Sequence, residues 1–306
     1  ALMPLLASEP RFTEVIGLDI QPPVHPMPGV TYHQVDVRSR RMAHYLDGAD
    51  LLIHLAFVIF HRGDRKQAEE INIDGSIQTF EMAARRGVKR IVAASSHTVY
   101  GAHPDNPIPI TEDWPLRGNE ELHYAWSKRL VEEYLDTFEL RYPGIRLIRL
   151  RPCTVWGPSI PQSRAQLFLS SLALSSKRYD APIQLLHEAD VAKAFVSAAL
   201  EPDAVGIYNV APRDWVRPSE LRRLLDIRAA KLPGMAVRLL NSAMWRLNLT
   251  ELSPEWLILA RHPVVLSSQR ICQELGWSPT RSTVETARET VASMRGESFA
   301  FEAIRS

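Results

Sequence analysis

Half-cystines and metal-ligand clusters are nearly absent from this chain of 306 residues. Its only two cysteines, Cys153 and Cys272, lie far apart and outside any C-x-x-C spacing, which argues against a disulfide framework or a zinc site and fits a reducing, cytoplasmic setting. No metal is expected. No apolar run approaches the ~20 residues that a membrane helix needs. Residues 2–7 are apolar, but they are too short and lack the basic start of a signal peptide. A charge excess of one sign is missing too. With 36 basic against 35 acidic side chains there is no bulk field to recruit nucleic acid or an anionic membrane, so neither is expected as a partner and only local patches remain. We find no internal repeat and no low-complexity segment. The length suffices for one large domain or two unequal ones around a substantial core.

Short β-branched runs alternate with longer helical patterns, the signature of parallel strands joined by helical crossovers. Strands are expected at 15–20, 30–35, 51–56, 89–95, 145–150 and 206–210, and helices at 65–86, 124–141 and 189–200. The fold class is therefore α/β, a doubly wound parallel sheet. After Pro152 the texture changes, because prolines and serines punctuate shorter segments. That stretch reads as a smaller C-terminal lobe covering the substrate.

The stretch Tyr124-Ala125-Trp126-Ser127-Lys128 places a phenol and an ammonium four positions apart, on one helix face. Such a pair suggests redox chemistry: using a phenol as a base at neutral pH means lowering its pKa by roughly 3 units, about 4 kcal/mol, and a nearby cation supplies part of that. Ser95-Ser96-His97-Thr98-Val99-Tyr100-Gly101 follows the apolar run 90–94, which puts hydroxyls at the end of a buried strand. In open α/β sheets ligands bind at that end.

Taken in order, S-S-x-x-V-Y-G, Y-x-x-x-K and Arg151-Pro152-Cys153-Thr154-Val155-Trp156-Gly157-Pro158 resemble the extended short-chain dehydrogenase/reductases, the NAD-dependent epimerase/dehydratase group. The resemblance runs from Val15 to Val210. It implies a Rossmann-like dinucleotide-binding domain at 1–152, to which 187–210 return, and a substrate-binding lobe made of 153–186 and 211–306. It also implies the reacting set: Tyr124 exchanges a proton with the substrate oxygen, Ser96 orients that oxygen, and Lys128 holds the nicotinamide ribose and lowers the tyrosine pKa. Ser95 is the alternative serine. By the same resemblance Asp19 accepts the adenosine ribose hydroxyls, which favours NAD over NADP. Asp36 and Val37 contact adenine, and Leu55 and Ala56 pass along the cofactor after His54. Asn72 stands beside the site, and Ser95 and Pro152 complete the cofactor set. His97 and His187, with Ser96 and Tyr124, are the substrate-side candidates. Plainer roles stay open for several of these residues: Asp19 as a turn former before Pro22, Asp36 as a helix cap, His54 as a core histidine, Asn72 as a local cap and His187 as a structural hydrogen-bond partner.

Two departures matter. The dehydratases of this group carry an Asp-Glu pair directly after the hydroxyl residue, where this chain has His97-Thr98, which counts against sugar dehydration. The glycine-rich turn that opens the first helix and cradles the pyrophosphate also does not occur in the sequence. The start of the chain looks like the rear of that helix. The expectation is that the polypeptide carries roughly 10–20 further residues there, one strand and a tight turn, the alternative being a truncated or degenerate chain that has dispensed with the loop.

The functional expectation is an NAD-dependent oxidoreductase or epimerase acting on a secondary alcohol or ketone, with a nucleotide sugar among the candidates. A reductase of an apolar or steroid-like ketone and a non-catalytic dinucleotide-binding protein are the alternatives. The Leu, Met and Trp residues between Leu232 and Leu259 suit an apolar pocket or, more simply, the core of the smaller lobe. Arg149, Arg164, Arg213 and Arg217 could clamp a diphosphate or face water. The resemblance also implies a homodimer built from two long helices per subunit, here 65–86 and 124–141, with Val131, Tyr134, Leu135 and Phe138 as an apolar stripe that pairs the subunits or only faces the sheet.

Overall fold

The computed structural model describes residues 1–60, 65–160, 174–176 and 178–295. Helix α1 (Leu2–Ser8) leads into β1 (Val15–Asp19), which pairs in parallel with β2 (Val30–Gln34). Helix α2 (Met42–Leu46) and β3 (Leu51–His54) follow, and β3 begins a second parallel ladder in the order β3-β4-β5-β9. Its other strands are β4 (Arg90–Ala94), β5 (Arg146–Pro152) and β9 (Gly206–Val210). Each anticipated strand is present, shifted by at most two residues at its ends. Strand β4 shows why they were readable: Ile91, Val92 and Ala93 are buried on alternate faces, and a parallel strand covered on both sides must be continuously apolar. The sheet is divided, since among the described residues no ladder joins β1 to β3.

The helix expected at 65–86 has three parts: α3 (Arg65–Glu69), a π-helical turn (Glu70–Asp74) and α4 (Gly75–Arg85). Gly75, at the junction, lies so close to Val37 that an added Cβ would come within 2.7 Å of the valine side chain. Helix α5 (His123–Arg141) runs for 19 residues. Its Val131, Leu135 and Phe138 are buried against Phe80, Ala83, Ile91 and Leu147, with Tyr134 packed at the edge. The stripe expected to pair two subunits therefore faces the chain's own sheet. Apolar burial is worth about 25 cal/mol per Å², and the sheet is the covalently adjacent apolar surface, so it takes that face first.

Beyond β5 come β6 (Thr154–Trp156), β7 (Leu174–Ser175), β8 (Leu185–His187) and α6 (Glu188–Leu200), then, after β9, α7 (Pro218–Leu224) and β10 (Ala230–Lys231). Strands β6 and β8 pair in parallel, as do β7 and β10. Helix α8 (Gly234–Arg246), a 3-10 turn (Pro254–Ala260), α9 (Gln269–Glu274) and α10 (Thr283–Met294) complete the chain. The small core here consists of Trp156, Leu185, Val216, Leu221, Leu225, Ala287 and Val291. The apolar residues of α8 are not part of it. Only Val237 of that helix is buried, so α8 itself supplies little core, whereas Ile258 and Leu259 further along the stretch pack against the main core. Among the described residues no helix is long and apolar enough to cross a membrane.

Candidate functional site

The site forms where β3 and β4 end and α5 begins. Ser96 leaves β4 in extended conformation, and its Oγ accepts the Thr98 N–H at 3.2 Å, which caps the turn His97–Tyr100. That fixes the hydroxyl at the strand end, and Thr98 Oγ1 donates to it at 3.1 Å. Gly101 ends the turn at φ 71°, where an added Cβ would lie 2.1 Å from the Arg117 carbonyl oxygen, so glycine is required there.

Tyr124 lies in the first turn of α5, close enough to Ser96 for that hydroxyl to favour the ionised phenol. Lys128 is one turn further on. Its Nζ donates to the Ala94 carbonyl at 2.6 Å and lies 3.6 Å from the Phe57 ring centre and 5.9 Å from that of Tyr124. Glu132, another turn along, accepts Ser95 Oγ and pairs with Arg151 through two bonds of 2.8 and 2.6 Å. A cavity of about 10 Å³, room for about one water, lies beneath Lys128 between His54, Phe57, Ser95 and Glu132.

Burial dominates the electrostatics. It pushes the Tyr124 phenol up to about 12, with the Ser96 hydroxyl opposing it, and pulls the Lys128 ammonium down to about 7, with the charge of Glu132 opposing. The lowered tyrosine pKa expected from Lys128 is thus not what this arrangement produces, because the lysine charge is directed at Ala94 and Phe57. Burial also brings His97 down to about 4, with its Nδ1 3.3 Å from the Pro152 carbonyl oxygen. A neutral imidazole therefore stands beside Ser96.

An aromatic wall covers the tyrosine. Trp256 stacks on it at 5.6 Å and 29°, Phe57 meets it edge-on at 5.6 Å and 88°, and Phe60 lies 5.2 Å from Trp256. Phe60 carried no signal in the sequence pattern, whereas Phe57 ends the segment expected along the cofactor and Trp256 lies in the stretch 232–259 that suited an apolar pocket. Glu132 had a signal that went unused, since it extends the Tyr124–Lys128 face by one more turn.

The structure brings Ser95, Ser96, His97, Pro152, Tyr124 and Lys128 together. Asn72, on the π turn, grips the backbone of Val58, accepting its N–H at 2.6 Å and donating to its carbonyl at 3.0 Å. It thereby sets the path of the segment after β3, where Leu55 is 50% exposed and Ala56 is exposed. His54 is a satisfied core histidine, 2.9 Å from Ser76 Oγ. Asp19 and Asp36 stand at the ends of β1 and β2, away from this cluster. Asp19 is exposed and accepts the Gln21 N–H at 2.9 Å, whereas Asp36 forms a forked pair with Arg38. The neighbouring Val37 is buried against Gly75. His187 caps α6, its Nδ1 accepting the Ala189 N–H at 3.1 Å, and its Nε2 lies 3.4 Å from Glu289.

Over residues 1–211 the chain matches the model of the NAD dependent epimerase/dehydratase family. It belongs to that family. An uncharacterized protein of Mycobacterium tuberculosis is 27% identical over 289 residues, covering 92% of this chain and 77% of its own length. A UDP-glucose 4-epimerase of Neisseria meningitidis is 32% identical over 134 residues, 40% of this chain and 37% of the epimerase. The crystal structure of Thermus thermophilus UDP-glucose 4-epimerase in complex with NAD superposes with a TM-score of 0.71 at 23% identity, covering 92% of this chain and 91% of that one. The likeness in structure concerns the fold: a Rossmann-like α/β architecture of the epimerase/dehydratase type.

Of the arginines weighed as diphosphate clamps, Arg149 is buried and paired with Asp136, Glu139 and Glu132, and Arg217 donates to the Asp180 carbonyl. Arg213 is exposed. Arg164 lies outside the described residues. A separate cleft of about 530 Å³ opens between residues 102–104, residues 116–121 and the turn residues Ile258, Arg261 and His262. Its lining does not include Ser96, Tyr124 or Lys128, so the site is defined by the polar cluster and not by this hollow.

Proposed function

We propose that the chain is an NAD-dependent epimerase or oxidoreductase acting on a secondary alcohol or ketone, with a nucleotide sugar as its substrate class and Ser96, Tyr124 and Lys128 at the reacting centre. One observation carries this reading: the Ser96 hydroxyl, fixed at the end of β4, acts on the Tyr124 phenol, and the Lys128 ammonium lies 5.9 Å from the same ring. The family membership and the UDP-glucose 4-epimerases among the similar proteins support it.

The side chains suit the two ends of a dinucleotide. The exposed Asp19 carboxylate at the end of β1 would take the adenosine ribose, with Asp36 and Val37 beside the adenine, and Leu55, Ala56 and Asn72 would line the middle. Lys128, Ser95 and Pro152 would meet the nicotinamide end. NAD, when bound, supplies hydride acceptance and donation. The chain's own part is protonic. Ser96 would hold the substrate oxygen, Tyr124 would move the proton at its Oη, and Lys128 would turn from Ala94 toward the ribose and the phenol, bringing the phenol down from about 12 into a working range. His97, kept neutral, and His187 would contact the substrate. Residues 153–186 and 211–306 are assigned to the lobe that covers it.

A second reading, reduction of an apolar ketone, is favoured by the wall of Phe57, Phe60 and Trp256 and by the engagement of Arg149 and Arg217 elsewhere. Turnover assays with NAD and UDP-hexoses against apolar secondary alcohols separate the two. In either case Tyr124→Phe removes only the hydroxyl, so turnover should fall by several orders of magnitude with unchanged folding. Near-native turnover by this variant would overturn the catalytic assignment.

A further inference from the structure

Helix α8 presents an apolar and cationic face to solvent. Met235, Leu239 and Leu247 are 75, 65 and 69% exposed, and Leu249, just past the helix end, is 64% exposed. Residues 235, 239, 243 and 246 follow at helical spacing, so Met235, Leu239, Ala243 and Arg246 form one outward stripe, flanked by Arg238 on one side and by Leu240 and Leu247 on the other. The opposite face holds the helix to the protein through buried Val237 and half-buried Trp245. Asn248, at φ 59°, closes the helix with its N–H on the Trp245 carbonyl at 3.1 Å, and Leu249 N–H bonds the Met244 carbonyl at 2.8 Å. This close pins Leu247 and Leu249 outward in place of folding them back.

Along the helix and the segment just before it the charge is of one sign, with Asp226 before this stretch and Glu251 and Glu255 after it. Between Arg228 and Thr250 the sequence carries four basic residues, Arg228, Lys231, Arg238 and Arg246, and no acidic one, and all four are exposed. A second copy docking through this face about a two-fold axis would set these cations against their own duplicates. An acidic peptide helix would need a groove, and this face is the convex side of a helix. A plane of anionic headgroups over acyl chains meets both properties at once, because the leucines and the methionine enter the boundary while the cations stay at the headgroups. We infer that α8 and its flanks form a docking surface for an anionic lipid bilayer, with the helix lying in the interface. The near-zero net charge of the whole chain conceals this patch. Helix α8 packs on the turn Pro254–Ala260, whose Trp256 covers Tyr124, so the docked helix lies next to the wall of the candidate active site.

The test is co-sedimentation of the full chain with vesicles of phosphatidylcholine alone and with about 30% phosphatidylglycerol. Binding should require phosphatidylglycerol and weaken sharply at about 0.5 M salt, where screening is nearly complete beyond ~4 Å. Two variants at exposed positions should keep the native melting curve. Met235→Glu/Leu239→Glu should lower the partition coefficient at least ~tenfold by removing apolar insertion, and Arg238→Glu/Arg246→Glu should do the same by reversing the charge. Absence of binding to either vesicle overturns the inference, as does binding that both variants retain. A dimer in light scattering that Met235→Glu/Leu239→Glu dissolves would assign the face to a second copy and also overturn it.

Discussion

Replacing Glu132 by glutamine would test the buried framework on which the site is mounted. Glu132 and Arg151 are both almost wholly inaccessible and share two hydrogen bonds of 2.8 and 2.6 Å, while Arg149 lies 3.6 Å from the same carboxylate. Burial alone would raise the carboxyl pKa, yet Arg151, Arg149 and Ser95 together hold it below the ordinary carboxylate range. Glu132→Gln removes the charge and leaves the Arg151 guanidinium buried without a counter-ion, a change worth about 3–5 kcal/mol. Two features place the loss at the low end. The amide oxygen keeps one acceptor, and Arg149 retains Asp136 and Glu139. A loss of about 3 kcal/mol is therefore expected, a large share of the 5–15 kcal/mol typical of a folded protein. Urea unfolding followed by circular dichroism should report it as a lower midpoint at unchanged slope. The double variant Glu132→Gln/Arg151→Met should be more stable than the sum of its single changes, since removing both partners leaves no orphaned charge. A single-variant loss below about 1 kcal/mol, or strict additivity, would refute the argument that this pair is coupled.

Other outcomes follow from the same geometry. His54 and His97 are held neutral, with burial lowering their pKa values from 6.5 to about 3 and about 4. The unfolded chain takes up those protons first, so stability should fall as pH drops from 6.5 toward 4, by up to about 1.4 kcal/mol per unit for each ring. His54→Gln should flatten that slope in acid titrations followed by circular dichroism, and an unchanged slope would count against it. Trp256→Ala opens the cover of Tyr124, so the phenol pKa should drop from about 12 toward 10 and the alkaline limb of the kcat/KM profile should move with it. A limb that stays in place would remove Trp256 from the site. Calorimetry should give tighter binding of NAD than of NADP, because the carboxylate of Asp19 repels a 2′-phosphate, and Asp19→Ser should narrow the gap. Equal affinities in the unaltered chain would reject that role for Asp19.

Much of the molecule follows from the sequence alone, and the reason is periodicity. Strands buried on both faces must be continuously apolar, so residues 90–94 announce β4, and the 3.6-residue turn places Tyr124 and Lys128 on one face whatever they pack against. The order of the motifs sufficed to name the family. The rest depended on contacts between positions distant in the chain. Arg151 reaches Glu132 across 19 residues and Tyr100 across 51, and Trp256 arrives on Tyr124 from the far end of the chain. A π turn carries no pattern of its own, so the grip of Asn72 on Val58 emerges only when α3 and α4 are docked. Two amphipathic stripes look alike in sequence, yet that of α5 lies on the sheet and that of α8 faces solvent. Amphipathicity states that a helix has an apolar side, and only the packing of neighbouring elements decides what, if anything, that side meets.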